Sequence, residues 1–270
     1  MEELHQRQSL PSIVEASCLG RKVIAKSSTG AAADKDGKKF EKILARILRH
    51  GGDTKDEQVI AEYFYKMFNI SKEDIRSATD SSLKIAHSSS KCKIKTDVII
   101  DLNNGDFISM SLKNTKCATV GVLETTLSAW FENFEITDSR VRKAFTIFRD
   151  KCRFRPSQFR KQYPHNYQIL RRYLSNNVFS IMRGLICGFG DNERAKPQYI
   201  VFHDKKSREI VCLSVDDYIQ MSISNHKAQF GVPLTFTRAS GGHGESPRIK
   251  VKIYNPIRDI KKLKASMDKH

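Results

Sequence analysis

An aspartate and a lysine lie at a spacing that would bring both onto one face of a β-hairpin. Residues 95–113, KTDVIIDLNNGDFISMSLK, alternate apolar and polar side chains on either side of an Asn-Asn-Gly segment, a pattern typical of a three-residue hairpin loop. Closing that loop over residues 103–105 pairs Asp97 with Ser111 and brings Lys113 beside them. Carboxylate and carbonyl oxygens bind Mg²⁺, and a neighbouring lysine can orient water and stabilise developing charge. The segment therefore has the groups that metal-assisted hydrolysis requires.

The alternation sorts the predicted hairpin into two faces. The core face would carry Val98, Ile100, Leu102, Ile108, Met110 and Leu112. The polar face would carry Asp97, Ile99, Asp101, Phe107, Ser109, Ser111 and Lys113. A buried ionised pair costs desolvation free energy unless it has a partner or a function. An ordinary amphipathic hairpin with a solvated polar side would give the same pattern, so the hairpin alone leaves both interpretations open.

The distribution of charge favours a polyanionic partner. The chain has 47 lysines and arginines against 30 acids, a formal net charge of +17. Residues 151–270 hold 23 basic and 9 acidic side chains, whereas residues 1–150 hold 24 and 21. No acid lies between Asp150 and Asp191. Such a one-sided field attracts nucleic acid, although net charge by itself is equally compatible with an idle basic surface.

The elements that must position these groups follow an order that predicts an α/β (α+β) fold with a mixed sheet. Apolar spacing predicts a first helix over 38–50, which Gly51-Gly52 would end. A capping box formed by Thr54 and Glu57 predicts the start of a second helix. Further helices are predicted over 120–134, 165–187 and 214–219. Strands are predicted over 94–102, 107–113, 198–204, 208–215, 233–239 and 248–254.

Length and composition exclude several classes of protein. A chain of 270 residues suits one large domain or two modest ones. No apolar run approaches the roughly 20 residues of a membrane span, and the N-terminus lacks the basic and apolar segments of a secretory signal. The six cysteines lie far apart without a C-x-x-C pair, which is typical of reduced thiols. We therefore expect a cytoplasmic protein.

Four segments of the chain resemble a known family. They are DKDGKKFEKIL (34–44), KTDVII with SLKNTK (95–116), SVDDYI (214–219), and FGVPLTFTRASGG with the KVKI strand (230–253). The order of helix acid, strand aspartate and strand x-x-lysine resembles the PD-(D/E)XK nuclease core. The four segments together resemble the MspI-type restriction endonucleases, small type II enzymes that cut four-base, G·C-rich palindromes.

The resemblance implies roles for particular residues. Asp97 would be the metal-binding carboxylate, Lys113 the catalytic lysine, and the backbone carbonyl of Leu112 a further ligand of Mg²⁺. Glu41 would reach the metal site directly or through water, or would be a solvated helix acid. The chain departs from the family at Ser111, where the family has Glu, Asp, Gln or Asn; this favours one Mg²⁺ held mainly by Asp97. Asp101, further toward the turn, could compensate.

The resemblance and the positive charge also indicate where DNA would bind. Asn114, Thr115 and Lys116 directly follow the catalytic strand and suit phosphate contacts. The loop after the strand at 233–239 is rich in glycine and polar groups, which allows a close approach of the backbone and offers donors to base edges. The residues predicted to contact DNA there are Arg238, Ser240, Gly241, His243, Arg248 and Lys250.

These observations predict a Mg²⁺-dependent type II restriction endonuclease, with a structure-specific or repair nuclease and a non-catalytic DNA-binding protein as alternatives. We expect an N-terminal extension (1–33), a catalytic core (34–150) and a basic DNA-recognition part (151–270) packed with the core as one domain. The implied partners are double-stranded DNA and, functionally, a cognate DNA methyltransferase. A palindromic target suggests two-fold symmetry, but the family includes monomeric enzymes, so both monomer and homodimer stay open.

Overall fold

A computed structural model describes residues 13–15, 30–80, 95–115, 119–205, 207–239 and 248–254, and the single positions 256, 258, 261, 262 and 265. Its helices are α1 (Gly30–His50), α2 (Lys55–Phe68), α3 (Leu127–Asn133), α4 (Ser139–Asp150), α5 (Pro156–Gln162), α6 (Pro164–Asn176), α7 (Val178–Cys187) and α8 (Val215–Asn225). Its strands are β1 (Ile13–Glu15), β2 (Ile75–Asp80), β3 (Val98–Leu102), β4 (Phe107–Thr115), β5 (Thr119–Thr125), β6 (Tyr199–Asp204), β7 (Glu209–Ser214), β8 (Leu234–Ala239) and β9 (Arg248–Tyr254). None of the described helices is long and apolar enough to cross a membrane.

The strands form two sheets. The larger sheet has six strands in the order β1-β7-β6-β4-β3-β2. Its β4 and β6 run parallel and its other neighbouring strands run antiparallel, which confirms the predicted mixed sheet. The smaller sheet is antiparallel and has the order β5-β9-β8.

The described chain divides into two compact units. The first draws its residues from within 1–90, 94–116 and 192–214, and the second from within 91–93, 117–191 and 215–270. The six-stranded sheet with α1 and α2 belongs to the first unit, and the three-stranded sheet with α3 to α8 belongs to the second. Each unit is therefore assembled from segments that are distant in the sequence.

In the first unit, α1 packs across β2, β3 and β4. Leu44, Ile47 and Leu48 recur at the spacing of one helix face, and all three are buried in the core of this unit. The helix ends where predicted, because Gly51 adopts a φ of 82° and donates its N–H to the carbonyl of Ile47 at 2.8 Å. This helix thus covers the apolar face of the strands that carry the candidate site.

The start of α2 uses both predicted capping residues. The Thr54 side chain accepts a hydrogen bond from the N–H of Glu57 at 3.3 Å. The Glu57 carboxylate accepts from the N–H of Asp53 at 2.9 Å, one residue before the position that a capping box would use. The backbone N–H groups of Glu57 and Asp53 are therefore both satisfied, the second of them one residue earlier than a capping box predicts.

The predicted helix over 120–134 is wrong in its first half. Residues 119–125 form β5, which pairs with β9, and α3 begins only after Thr126, whose side chain accepts from the N–H of Ala129 at 3.2 Å. Val120, Leu123 and Leu127 fit the period of a helix. The segment 119–125 is nevertheless rich in β-branched residues, which favour a strand when a partner strand lies beside them. That partner is more than 100 residues away in the sequence.

The other predicted elements are found close to their predicted bounds. The basic helix over 165–187 is divided at Asn177 into α6 and α7. The four strands predicted after residue 198 are present as β6 to β9, and α8 begins at Val215 within the predicted helical segment. Four further elements, β1, β2, α4 and α5, were not predicted.

Candidate active site

Asp97, Ser111 and Lys113 form a continuous hydrogen-bonded chain in the first unit. Nζ of Lys113 donates to Oγ of Ser111 at 2.7 Å, and Oγ of Ser111 donates to Oδ2 of Asp97 at 3.0 Å. Nζ also lies 3.7 Å from the same Oδ2. The side chains of Lys113 and Asp97 are 21% and 24% exposed. Both charged groups are therefore packed on most sides yet still accessible to a ligand.

The register of the hairpin brings these residues together. Leu102 donates its N–H to the carbonyl of Asp106 at 2.9 Å, and Gly105 closes the turn at a φ of 93°. Val98 pairs with Met110, so the register agrees with the predicted one. Asp97 lies just before β3 and donates its N–H to the carbonyl of Met110 at 2.8 Å, which holds its backbone against β4.

The polar face of this hairpin is covered by protein. Ser109 is 0% exposed and Ser111 is 1% exposed. The segment 192–198, which precedes β6, lies along this face: Oγ of Ser109 donates to the carbonyl of Lys196 at 2.8 Å, and its N–H donates to the side chain of Gln198 at 3.0 Å. The hairpin is therefore not an amphipathic ribbon with one solvated side.

Asp97 and Leu112 present oxygen atoms that could hold a hard cation. Its Oδ2 accepts the N–H of Leu112 at 2.7 Å in addition to Oγ of Ser111, whereas its Oδ1 accepts no hydrogen bond from the described residues. In an extended strand the N–H and the carbonyl of one residue point to the same edge, so the Leu112 carbonyl is directed toward the edge that Asp97 occupies. A carboxylate oxygen and a backbone carbonyl oxygen both suit Mg²⁺.

The site offers few further acids. Within the described ranges, no group of three or more His, Cys, Asp or Glu side chains is arranged to hold a metal ion. Glu41 lies partly exposed on α1, the helix that packs against β3 and β4, and its role at the metal stays a prediction.

Asp101 is engaged elsewhere on the hairpin. Its carboxylate accepts from Arg194 at 2.5 Å and from Oγ of Ser77 at 2.9 Å, and the guanidinium of Arg194 lies 5.0 Å from the ring centroid of Phe107. Burial raises the pKa of Asp101, but the two hydrogen bonds and the nearby charge of Arg76 outweigh it, so the net pKa lies below its ordinary value. Asp101 therefore anchors segment 192–198 to the hairpin.

The predicted DNA contacts after Lys113 are only partly described. Asn114 is half-buried, and its Oδ1 lies 3.0 Å from Nδ1 of His203. Thr115 is the last residue of β4. Lys116 lies outside the described residues.

The predicted DNA contacts in the second unit lie on β8 and β9. Arg238 is exposed near the end of β8. Arg248 and Lys250 are on β9, and their cationic groups lie 3.9 Å and 3.8 Å from the carboxylate of Glu124. Ser240, Gly241 and His243 lie outside the described residues.

Two features of the first unit escaped the sequence analysis. One is His203, a buried histidine on β6; the only signal was a histidine directly after the apolar residues of YIVF. The other is segment 192–198, which the sequence presents as a polar loop, because its contacts to Ser109 and Asp101 span about 90 residues of sequence.

Comparisons with known proteins identify the family and the fold of the chain. A family model described as "Restriction endonuclease MspI" matches residues 21–253. The chain is also similar to the crystal structure of restriction endonuclease MspI in complex with its cognate DNA, with a TM-score of 0.64 and 18% identity over 83% of this chain and 91% of that one. A search of curated proteins found no match. The structural likeness confirms the predicted nuclease fold, a central mixed sheet flanked by helices.

Proposed function

The chain belongs to the restriction endonuclease MspI family, and on that premise we propose that it hydrolyses both strands of duplex DNA at a short palindrome with Mg²⁺. From the family resemblance we expect a four-base, G·C-rich target and products with 5′-phosphate and 3′-hydroxyl ends. The observation that carries the proposal is the chain of hydrogen bonds from Lys113 through Ser111 to Asp97.

In the proposed mechanism each of these side chains has a separate task. Asp97, through its free Oδ1, and the carbonyl of Leu112 would hold Mg²⁺, which supplies Lewis-acid stabilisation of the phosphate and an activated water. The ammonium of Lys113 would stabilise the negative charge that develops on the phosphate. Ser111 accepts a hydrogen bond from the Lys113 ammonium and donates one to the Asp97 carboxylate. It therefore holds the ammonium in place without adding a charge of its own.

We further propose that the basic part of the chain binds the DNA. On α5 and α6, Arg160, Lys161, Arg171 and Arg172 are all exposed, and none has a carboxylate partner among the described residues. Arg238, Arg248 and Lys250 on β8 and β9 would contact phosphates or the O6 and N7 acceptors of guanine. The sequence-based division into a catalytic part (34–150) and a DNA-recognition part (151–270) is retained as part of this proposal.

A functional partner follows from this function. An enzyme that cuts unmodified DNA requires protection of the host's own sites, so we propose a cognate DNA methyltransferase as the functional partner. Action on a palindrome is compatible with a homodimer or with a monomer that cuts the two strands in turn.

Digestion of plasmid DNA with the purified full-length protein and Mg²⁺ tests the proposal. Discrete fragments that reach a limit pattern are expected. Smearing would indicate a structure-specific or non-specific nuclease. Retardation of the DNA without cutting would indicate a non-catalytic DNA-binding protein, the alternative that the departure from the family at Ser111 suggests.

A matched pair of acid variants in one hairpin tests the assignment of the site. Asp97→Asn should abolish cutting, because the proposed metal loses its carboxylate. Asp106→Asn should cut like the wild type, since Asp106 is exposed in the turn. Equal activity of the two variants would refute the role of Asp97.

A further inference from the structure

His203 is a buried imidazole that the proposed mechanism does not use. It lies on β6 directly opposite Asn114 of β4, and it is 5% exposed. Its Nδ1 is 3.0 Å from Oδ1 of Asn114. Because an amide oxygen only accepts hydrogen bonds, Nδ1 carries the proton in this arrangement. Nε2 is then the unprotonated nitrogen, and it has no hydrogen-bond partner among the described residues.

The same imidazole contacts α1. Its ring stacks on Phe40 with the centroids 5.1 Å apart and the planes at 26°. Phe40 is itself buried and immediately precedes Glu41, whereas Asn114 immediately follows Lys113. His203 therefore contacts the chain neighbours of two residues assigned to the site, one on the helix and one on the strand.

A fully apolar side chain would be less costly to bury at this position. Burial, with a contribution from Lys205 against that of Asp204, lowers the pKa of His203 to about 4, so the imidazole is neutral at neutral pH. A buried nitrogen without a partner loses its hydration with no compensation. The hydrogen bond to Asn114 is the interaction that an aliphatic or phenyl side chain could not replace.

We propose that His203 is a positioning residue for DNA cleavage. It holds Asn114 through its hydrogen bond and Phe40 through its ring, and it thereby sets the spacing between the strand that carries Lys113 and the helix that carries Glu41. This inference rests on the proposed nuclease function. It assigns His203 no contact with DNA, water or metal.

The test compares His203→Phe with His203→Asn in the full-length protein. Phenylalanine keeps the ring stack and removes the hydrogen-bond donor, while asparagine places an amide donor near the position of Nδ1. In single-turnover cleavage at saturating DNA, His203→Phe should be slower by at least about tenfold, because small misplacements of catalytic groups are costly. Its Kd for DNA should be unchanged, and His203→Asn should recover part of the rate, because it restores the donor to Asn114 but not the ring that stacks on Phe40.

The second unit offers a matched control. His226 is also buried at 5% exposure and makes an edge contact with the ring of Tyr254 at 6.0 Å. His226→Phe removes an imidazole of similar burial far from the site in sequence and should leave the cleavage rate unchanged. A rate loss of equal size in the two Phe variants would indicate a general packing effect and would overturn the proposal.

A double variant checks that His203 acts through Asn114. If it does, Asn114→Leu combined with His203→Phe should be no slower than Asn114→Leu alone. The proposal would be overturned if the rate losses of the two single variants multiplied in the double variant, or if folded His203→Phe cleaved DNA at the wild-type rate. If His203→Phe fails to fold, a wild-type cleavage rate for Asn114→Leu at saturating DNA would overturn the proposal instead. A wild-type protein that does not cut DNA at all would instead refute the proposed function.

Discussion

Two hairpins of this protein, β3–β4 and β8–β9, have similar alternating sequences and opposite environments. In β8–β9 the apolar residues Phe236, Ile249 and Val251 are buried, while Thr237 and Lys250 on the other face stay partly exposed. In β3–β4 the apolar face is covered by α1 and the polar face by segment 192–198. A strand pattern therefore specifies which face meets the core, but it does not specify whether the other face meets water.

The difference matters for the charges on each hairpin. Lys250 pairs with Glu124 at 3.8 Å in a half-exposed position, where solvent screens the interaction and its contribution to stability is small. Lys113 pairs with Asp97 beside a serine that is 1% exposed. Interactions at such sites are stronger because the local dielectric is lower, so we expect the Lys113–Asp97 pair to serve chemistry and Lys250 to serve DNA affinity.

The largest expected effect contrasts the two lysines directly. Lys113→Met should lower the single-turnover cleavage rate by about 10²–10³-fold at saturating DNA, as removal of a preorganised charge-stabilising group does. Lys250→Met should keep that rate and weaken DNA binding. Rapid-quench cleavage assays and a binding titration of both variants measure the two quantities. Equal rates for the two variants would remove the distinction between the hairpins.

The next prediction concerns the basic helices α5 and α6. Substituting Arg160, Lys161, Arg171 and Arg172 by Gln should reduce the slope of log affinity against log salt by about 0.9 for each side chain that contacts a phosphate. The matched control removes the same charge from exposed positions of the first unit, Arg49, Lys55, Lys66 and Lys72. Binding titrations at several salt concentrations should show a changed slope for the first set only. A similar change in both sets would mean that net charge, and not a surface, binds the DNA.

A smaller effect is expected at Ser111. Ser111→Asp adds a carboxylate beside Asp97 and should lower the Mg²⁺ concentration for half-maximal cleavage by roughly tenfold, because added anionic oxygens tighten divalent cation binding. Ser111→Ala, which removes the hydroxyl without adding a ligand, should not tighten it. The shift of the melting temperature with Mg²⁺ gives a readout independent of cleavage. Unchanged Mg²⁺ dependence in Ser111→Asp would place the cation away from residue 111.

The smallest effect concerns the anchor of segment 192–198. Asp101→Asn should lower the free energy of unfolding at pH 7 by about 1–2 kcal/mol, since it weakens a charge-assisted hydrogen bond. The pKa of Asp101 is lowered in the folded protein, so its stabilising contribution is present above the unfolded pKa of about 3.9 and is lost as the pH falls through the lower folded pKa. Denaturant unfolding of both proteins at pH 7 and pH 3 should show the difference shrinking at the acidic pH. A constant difference would assign the loss to packing.

Much of the fold could be predicted from local patterns. The register of β3–β4 followed from Gly105 and from the alternation on both sides of the turn, and the end of α1 followed from Gly51, because turn and cap geometry depend on a few neighbouring residues. The β5 strand could not be predicted from Val120 and Leu123, because their spacing also fits a helix. The segment forms a strand only because β9 lies beside it.

The candidate site divides in the same way. Sequence alone determined that Asp97, Ser111 and Lys113 share one face, because a three-residue turn sets the pairing of its flanking strands and alternation sets the face. Only the tertiary structure decided that this face is buried, that Asp101 binds Arg194, and that His203 lies between Asn114 and Phe40. The physical reason is range: turns and periodicities act over a few residues, whereas burial and these contacts depend on segments that meet after separations of about 70 to 160 residues.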